Sequence, residues 1–256
     1  MSTFAFYQKV VALNSDVHRN LKFAANETNF SFARDTTAVL LAGVEFAEAA
    51  REYPIVFVRG QDKQLRPVVL LGVRKGENLF VDEQGKWGAS YIPAFVRRYP
   101  FVMAEGGSNG QLVVCVDESC PALNAEHGEL LINAEGKLEP RMNEVMKFLT
   151  KFQQEFARTE LLAQQLDELG LFIQQGARFD TNAGEAFQLN DFYLIDEKKF
   201  GRIADDKLPQ LFRSGALGLG YLHLASLGNM RKLLDRVAVR SAAQKQAASK
   251  AGMPLH

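Results

Sequence analysis

Between Pro140 and Gly170 the apolar residues recur at helical spacing, and this run limits the folds open to the chain. Met142, Val145, Leu149, Phe152 and Phe156 follow a 3, 4, 3, 4 step, and Ala163 and Leu166 resume it after Thr159-Glu160. That period predicts an amphipathic helix. Pro140 suits a first helical turn, and Gly170 suits the position just past a helix end. About thirty residues at ~1.5 Å each give a rod of roughly 45 Å. A rod of that length must lay its single apolar stripe on something. One answer is a sheet of the same chain; the other is a second copy, in a coiled-coil homodimer. A coiled coil ordinarily sustains three to four heptads, which favours the sheet.

The rest of the chain supplies strands for such a sheet. Residues 10–13 read as a short strand closed by a turn at Asn14-Ser-Asp16. Residues 55–58 and 67–73 are apolar runs on either side of a polar connection, which predicts an antiparallel hairpin. Residues 78–81 read as another strand, with a turn at 82–85. Residues 101–104 and 111–116 flank Glu105-Gly-Gly-Ser-Asn-Gly110, a strong hairpin signal. Residues 171–179 and 187–195 flank a turn at 181–184. Shorter helices are expected at 39–50, at 92–99 opened by Pro93, and at 197–200 capped by Asp196. Another carries Leu208, Leu211 and Phe212, capped by Asp205 or Asp206 and ended by Gly215. A last long helix is expected over 217–239, with Leu224, Leu227, Leu234 and Val237 as its stripe. The expected class is α+β: an antiparallel, hairpin-rich sheet with a long central helix and C-terminal helices. It is organised as one domain over 1–240 and a flexible basic tail over 241–256.

Composition excludes several classes. At 47% hydrophobic and 23% charged residues, the chain can bury enough apolar surface to order itself. Thirty Lys+Arg against thirty Asp+Glu disfavour a globally basic nucleic-acid binder. The zero balance is a cancellation: residues 197–256 hold 11 basic and 4 acidic residues, leaving 19 basic against 26 acidic in 1–196. The expectation is that the basic helix docks on the acidic body and the tail meets a partner. The N-terminal residues lack the pattern of a signal peptide. The best candidate for a membrane span is the 17-residue uncharged stretch 214–230, but its length, His223, Asn229 and four glycines fit a buried core helix better. A soluble, cytoplasmic protein is expected. With only two cysteines, Cys115 and Cys120, two reduced core thiols are favoured over a disulfide.

Catalytic signatures are absent: no G-x-S-x-G elbow, no phosphate loop, no H-E-x-x-H helix. Cys115, Cys120 and His127 offer three zinc-type ligands, but their spacing fits no zinc pattern, so no metal and no cofactor is expected. Five residues form the candidate ligand site. Arg97 and Arg98 suit a carboxylate or phosphate, although pairing with the acidic stretch 105–139 is favoured for them. Asp117 and Glu118 suit a cation or acid–base work; a solvated strand end with a local cap is the plainer account. His223 suits proton transfer, although a satisfied core histidine is commoner.

Several phrases, taken together, resemble the SapC family of bacterial proteins, named for a surface-array (S-layer) locus. They are Tyr53-Pro-Ile-Val-Phe-Val58, Gly76-Glu-Asn-Leu-Phe-Val-Asp82 with Gly85 and Trp87, Tyr91-Ile-Pro-Ala-Phe-Val-Arg-Arg-Tyr-Pro-Phe101, Val116-Asp-Glu118 and Ser226-Leu-Gly-Asn229. The resemblance runs from about Val10 to Arg240. Trp87, Tyr91, Pro93, Tyr99 and Asn229 are its marker residues, and the Tyr91–Phe101 block is the specific one. The resemblance implies an accessory protein of the bacterial surface layer or cell envelope, acting through contact with a protein partner there. It leaves open an export route to the cell surface without a classical signal. It brings no reaction and no catalytic residue. The alternative is an enzyme or small-ligand binder acting on a peptide or an anionic substrate.

Overall fold

A computed structural model of the chain describes residues 5–24, 29–106, 111–124, 126–180 and 186–250. Its strands are β1 (Val10–Ala12), β2 (Lys22–Phe23), β3 (Ala38–Leu40), β4 (Ile55–Arg59), β5 (Leu65–Leu70), β6 (Phe101–Gly106), β7 (Gln111–Asp117), β8 (Leu123–Asn124), β9 (Glu129–Leu130), β10 (Phe172–Asp180) and β11 (Ala186–Ile195). Its α-helices are α1 (Phe46–Ala49), α2 (Ala94–Arg97), α3 (Pro140–Glu168), α4 (Glu197–Phe200), α5 (Leu208–Ser214), α6 (Ala216–Ser226) and α7 (Asn229–Lys250). The class is α+β, as the patterning predicts.

Every described strand pairing is antiparallel. The largest sheet runs β10-β11-β4-β5-β3; two three-stranded sheets run β1-β7-β6 and β8-β2-β9. In β4, Ile55, Val56 and Phe57 are all fully buried. A continuous apolar run of this kind marks a strand covered on both faces. The three predicted hairpins pair as β4–β5, β6–β7 and β10–β11; their turn residues 107–110 and 181–184 lie outside the described residues.

Helix α3 joins the two parts of the interior. Its Met142 and Leu149 pack with Phe101, Val116, Leu131 and Ile132 beside the β1-β7-β6 sheet. Further along, its Phe152, Ala163 and Leu166 enter the main core with Phe57, Val69 and Phe95. The apolar stripe is therefore spent inside the chain, across strands. Gly170 takes φ +63° just past the helix, the left-handed conformation glycine adopts without strain.

Some expectations are overturned. Residues 39–50 do not form one helix: Val39 and Leu40 pair with Val69 and Val68, and only Phe46–Ala49 is α-helical. Pairing to a buried strand outweighs local periodicity there. Residues 78–81 are not a strand. Buried Asn78 accepts the Phe80 N–H at 2.9 Å and donates to the Ala33 carbonyl at 3.0 Å, a local bonding pattern that competes with a ladder; only a Val81–Trp87 bridge remains. The last long helix is two. Ser226 donates its hydroxyl to the His223 carbonyl at 2.6 Å and accepts the Ile55 N–H at 3.0 Å, and the chain turns at 227–228. The fully buried line then runs through Leu233 and Val237, with Leu234 only partly covered. Lys207, not Asp205 or Asp206, precedes α5 and no side chain caps it, while Phe212 is exposed. Helix α7 extends past the expected end at 239 and runs through Lys250, with Ser241 buried on it. Among the described residues no helix is long and apolar enough to cross a membrane.

Candidate functional site

The stretch of residues 87–94 is fixed by a connected set of buried and half-buried polar side chains. Glu45 lies buried in a 3-10 turn. Its carboxylate accepts the Ala42 N–H at 3.0 Å, the Ala94 N–H at 2.7 Å and the Tyr91 hydroxyl at 2.6 Å. The Glu52 carboxylate accepts the Ser90 and Tyr91 N–H groups at 2.9 and 3.1 Å. Tyr53, fully buried, accepts the Trp87 indole N–H at 2.9 Å and donates its hydroxyl to the Tyr91 carbonyl. Asn229, at the start of α7, donates to the Ala50 and Tyr53 carbonyls at 2.6 and 3.2 Å. Burial pushes the Tyr53 and Tyr91 hydroxyls well above the ordinary tyrosine pKa, and the Glu45 carboxylate adds to the shift at Tyr91. Both hydroxyls are therefore neutral donors. Pro93 is the residue at the head of α2.

The outer side of this stretch, continued to residue 101, is one wall of a groove of about 1070 Å³. Ile92 and residues 96–101 line it from that side. The first half of α3 faces them with Arg141, Glu144, Val145, Phe148 and Leu149. Phe23, Phe30, Phe32 and residues 120–122 close the remainder. The lining is mainly aromatic and aliphatic, with Lys86, Arg97, Arg98 and Arg141 as its cations and Glu144 as its one carboxylate.

The two arginines are held differently. Arg97 is exposed and donates its Nε–H to the Ile92 carbonyl at 2.9 Å. Its guanidinium lies 5.8 Å from the Tyr91 ring and 5.5 Å from the Phe148 ring. Arg98 is only 4% exposed, with its guanidinium 3.9 Å over Phe95 and 5.2 Å from Phe152. Burial lowers its pKa, opposed by the nearby Tyr7 hydroxyl, yet an arginine stays charged. Among the described residues Arg97 makes no ion pair with the acidic stretch 105–139; rings and a carbonyl hold it instead.

The other three candidates lie elsewhere. Asp117 is fully buried and accepts the Gln8 and Lys9 N–H groups at 2.8 and 3.0 Å, and the Ser119 hydroxyl at 2.6 Å. Burial pushes its pKa up, but these bonds outweigh it and hold the carboxyl below the ordinary value. Glu118 bonds Lys9 at 2.7 Å and His18 at 3.3 Å, and both lower its pKa. The pair thus clamps the N-terminal strand. His223 is fully buried in the main core, 5.2 Å from the Phe57 ring, and its Nε2 accepts the Ile195 N–H at 3.1 Å. None of the three lines the groove.

The markers Trp87, Tyr91 and Asn229 support the wall, while Tyr99 lines it, stacked 3.9 Å from Phe32. Sequence reasoning missed Glu45, Phe148 and Arg141; the only signal for Phe148 was its place one residue off the α3 stripe. Cys115 and Cys120 are unbonded, and burial raises both thiols. Among the described residues no group of three or more His, Cys, Asp or Glu side chains is placed to hold a metal ion. In comparisons with known proteins, the SapC family model matches residues 13–233. No curated protein and no solved structure matches the chain.

Proposed function

Because the chain belongs to the SapC family, we propose that it is an accessory protein of the bacterial surface layer or cell envelope. It acts by binding rather than by turnover, and the aromatic, cationic groove is where it makes contact with the layer's proteins or the components they carry. The observation that carries this reading is the origin of the groove wall: the Tyr91–Phe101 block, the most specific part of the resemblance, lines it with seven residues. The groove also argues for binding over catalysis. Its thiol, Cys120, is pushed up by burial and so is a poor nucleophile, and the base offered by the sequence, His223, is committed to the core.

The test is affinity purification from the native host, with the wild-type chain and Arg97→Glu as baits. Recovery of surface-layer or envelope components by the wild type, and their loss with Arg97→Glu, is the expected result. Recovery of none by the wild type overturns the reading.

A further inference from the structure

The polar groups along the groove differ in what they have left to offer. Arg97 gives Nε to a backbone carbonyl and also bonds the Tyr91 hydroxyl; its two terminal amino groups still hold more donors than these contacts use. Two rings and that carbonyl orient the guanidinium in advance, so little entropy is lost when an anion meets it. Buried Arg98 adds positive potential from the same wall, and Lys86 adds more. Three side-chain acceptors of the lining, by contrast, are already engaged. Asn29 Oδ1 accepts the Ser31 N–H at 2.8 Å, Ser31 Oγ accepts from Arg34 at 3.1 Å, and Glu144 accepts from Arg141 at 3.0 Å.

Charge is also uneven along α3. Arg141 is matched by Glu144 at 3.0 Å and Glu129 at 3.3 Å. Phe148, which carries Arg97 on its ring, lies two turns further, about 10 Å along the helix. Val145 stands between them and lines the groove. One end is therefore cationic, the other neutralised, and the span between is apolar. A peptide laid there would need acceptors for its backbone N–H groups; a chain without donors would not.

We infer that the groove binds a single-chain anionic amphiphile, an aliphatic body ending in one carboxylate or phosphate. The head sits on Arg97 and the chain runs along Val145 and Phe148. A volume of about 1070 Å³ is at the upper end of ordinary ligand sites. The inference rests on the proposed function and supplies the chemistry of the component recognised.

Calorimetric titration of the full chain with laurate and dodecyl phosphate tests it. Each saturates one site, and dodecanol, acetate and inorganic phosphate bind about tenfold more weakly or not at all. Arg97→Gln weakens laurate by about tenfold and leaves dodecanol unchanged, and Arg97→Lys, which keeps the charge but loses the fork, falls between. Equal affinity for acetate and laurate, an unchanged Arg97→Gln, binding only to anionic phospholipid vesicles, or tighter binding of an acidic peptide each overturns it. If these probes fail while Arg97-dependent recovery of envelope components persists, the inference falls and the proposed function stands. Laurate binding with no envelope component recovered separates the two in the other direction.

Discussion

His223 and Asp117 show how a titratable side chain can serve the fold instead of chemistry. Because His223 Nε2 accepts the Ile195 N–H, the neutral ring carries its proton on Nδ1, a buried atom with no partner among the described residues. Burial pushes its pKa down to about 4, with the Ile55 backbone opposing. The unfolded chain takes up that proton near pH 6.5, so acid favours unfolding. Stability is full above about pH 6.5, falls as pH drops, and levels off near 4; the loss from pH 7 to pH 5 is about 2 kcal/mol. His223→Gln keeps an acceptor for Ile195 without titrating. Denaturant unfolding at the two pH values should show a drop in the wild type and almost none in the variant; equal drops would exclude His223 as the cause. Asp117 acts in a lower window. Its folded pKa lies below the ordinary carboxylate value, so its stabilisation is present above about pH 4 and disappears as pH falls through the folded pKa. Asp117→Ala strands the Gln8 and Lys9 N–H groups, at a cost of about 3 kcal/mol. Hydrogen exchange at those two amides should accelerate before the rest of the chain opens, and unchanged protection there would refute the clamp.

Elements were legible where one local signal had no rival. The period from Met142 to Leu166, the glycines at 170 and 215 and the Asp196 cap all describe the helix ends that form; Asp196 accepts the Lys198 and Lys199 N–H groups. Legibility failed where a distant partner decided the outcome. Residues 39–40 have helical neighbours, yet β5 claims them. Ser226 and Asn229 look like ordinary helix residues until Ile55, Ala50 and Tyr53 draw on them from more than 170 positions away. The site divides in the same way. Arg97 and Arg98 were found as adjacent cations, whereas their rings on α3 and the Glu45 anchor come from far along the chain. Two glycines of α6 provide a test of packing between elements. A Cβ on Gly220 would stand 2.4 Å from buried Phe200 of α4, whereas one on Gly218 meets nothing within 4 Å. Gly220→Ala should therefore cost about 1–3 kcal/mol through overpacking, and Gly218→Ala should gain up to about 1 kcal/mol from helix propensity. Thermal unfolding of the two single variants gives opposite signs if α4 packs on α6 as described; the same sign in both would contradict it.

At the scale of the molecule, the sequence divides its charge into an acidic body and a basic C-terminal part, and the manner of their meeting runs against the obvious electrostatic picture. Helix α7 does dock, but on carbonyls. Arg240 donates to the Asn78 and Val81 carbonyls at 2.7 and 2.8 Å, Arg236 to Gly88 at 2.8 Å, and Lys232 to Arg51 at 3.1 Å. Arg236 also lies 4.3 Å over the Phe80 ring. A cation on a carbonyl is a short-range, directional contact, while attraction between separated net charges is screened beyond roughly 10 Å at moderate salt. The two modes make different predictions. Arg240→Met keeps the apolar stem and removes both bonds, leaving two carbonyls to find water; the expected loss is about 2–3 kcal/mol. If docking is carried by these bonds, that loss is the same at low salt and in molar sodium chloride. If it is carried by the opposed charges of body and helix, the loss shrinks as salt rises. Denaturant unfolding of wild type and variant at both ionic strengths decides between them. The result also bears on the groove, because Arg240 and Arg236 grip residues 78–88, the segment that brings Gln84 and Lys86 to its edge.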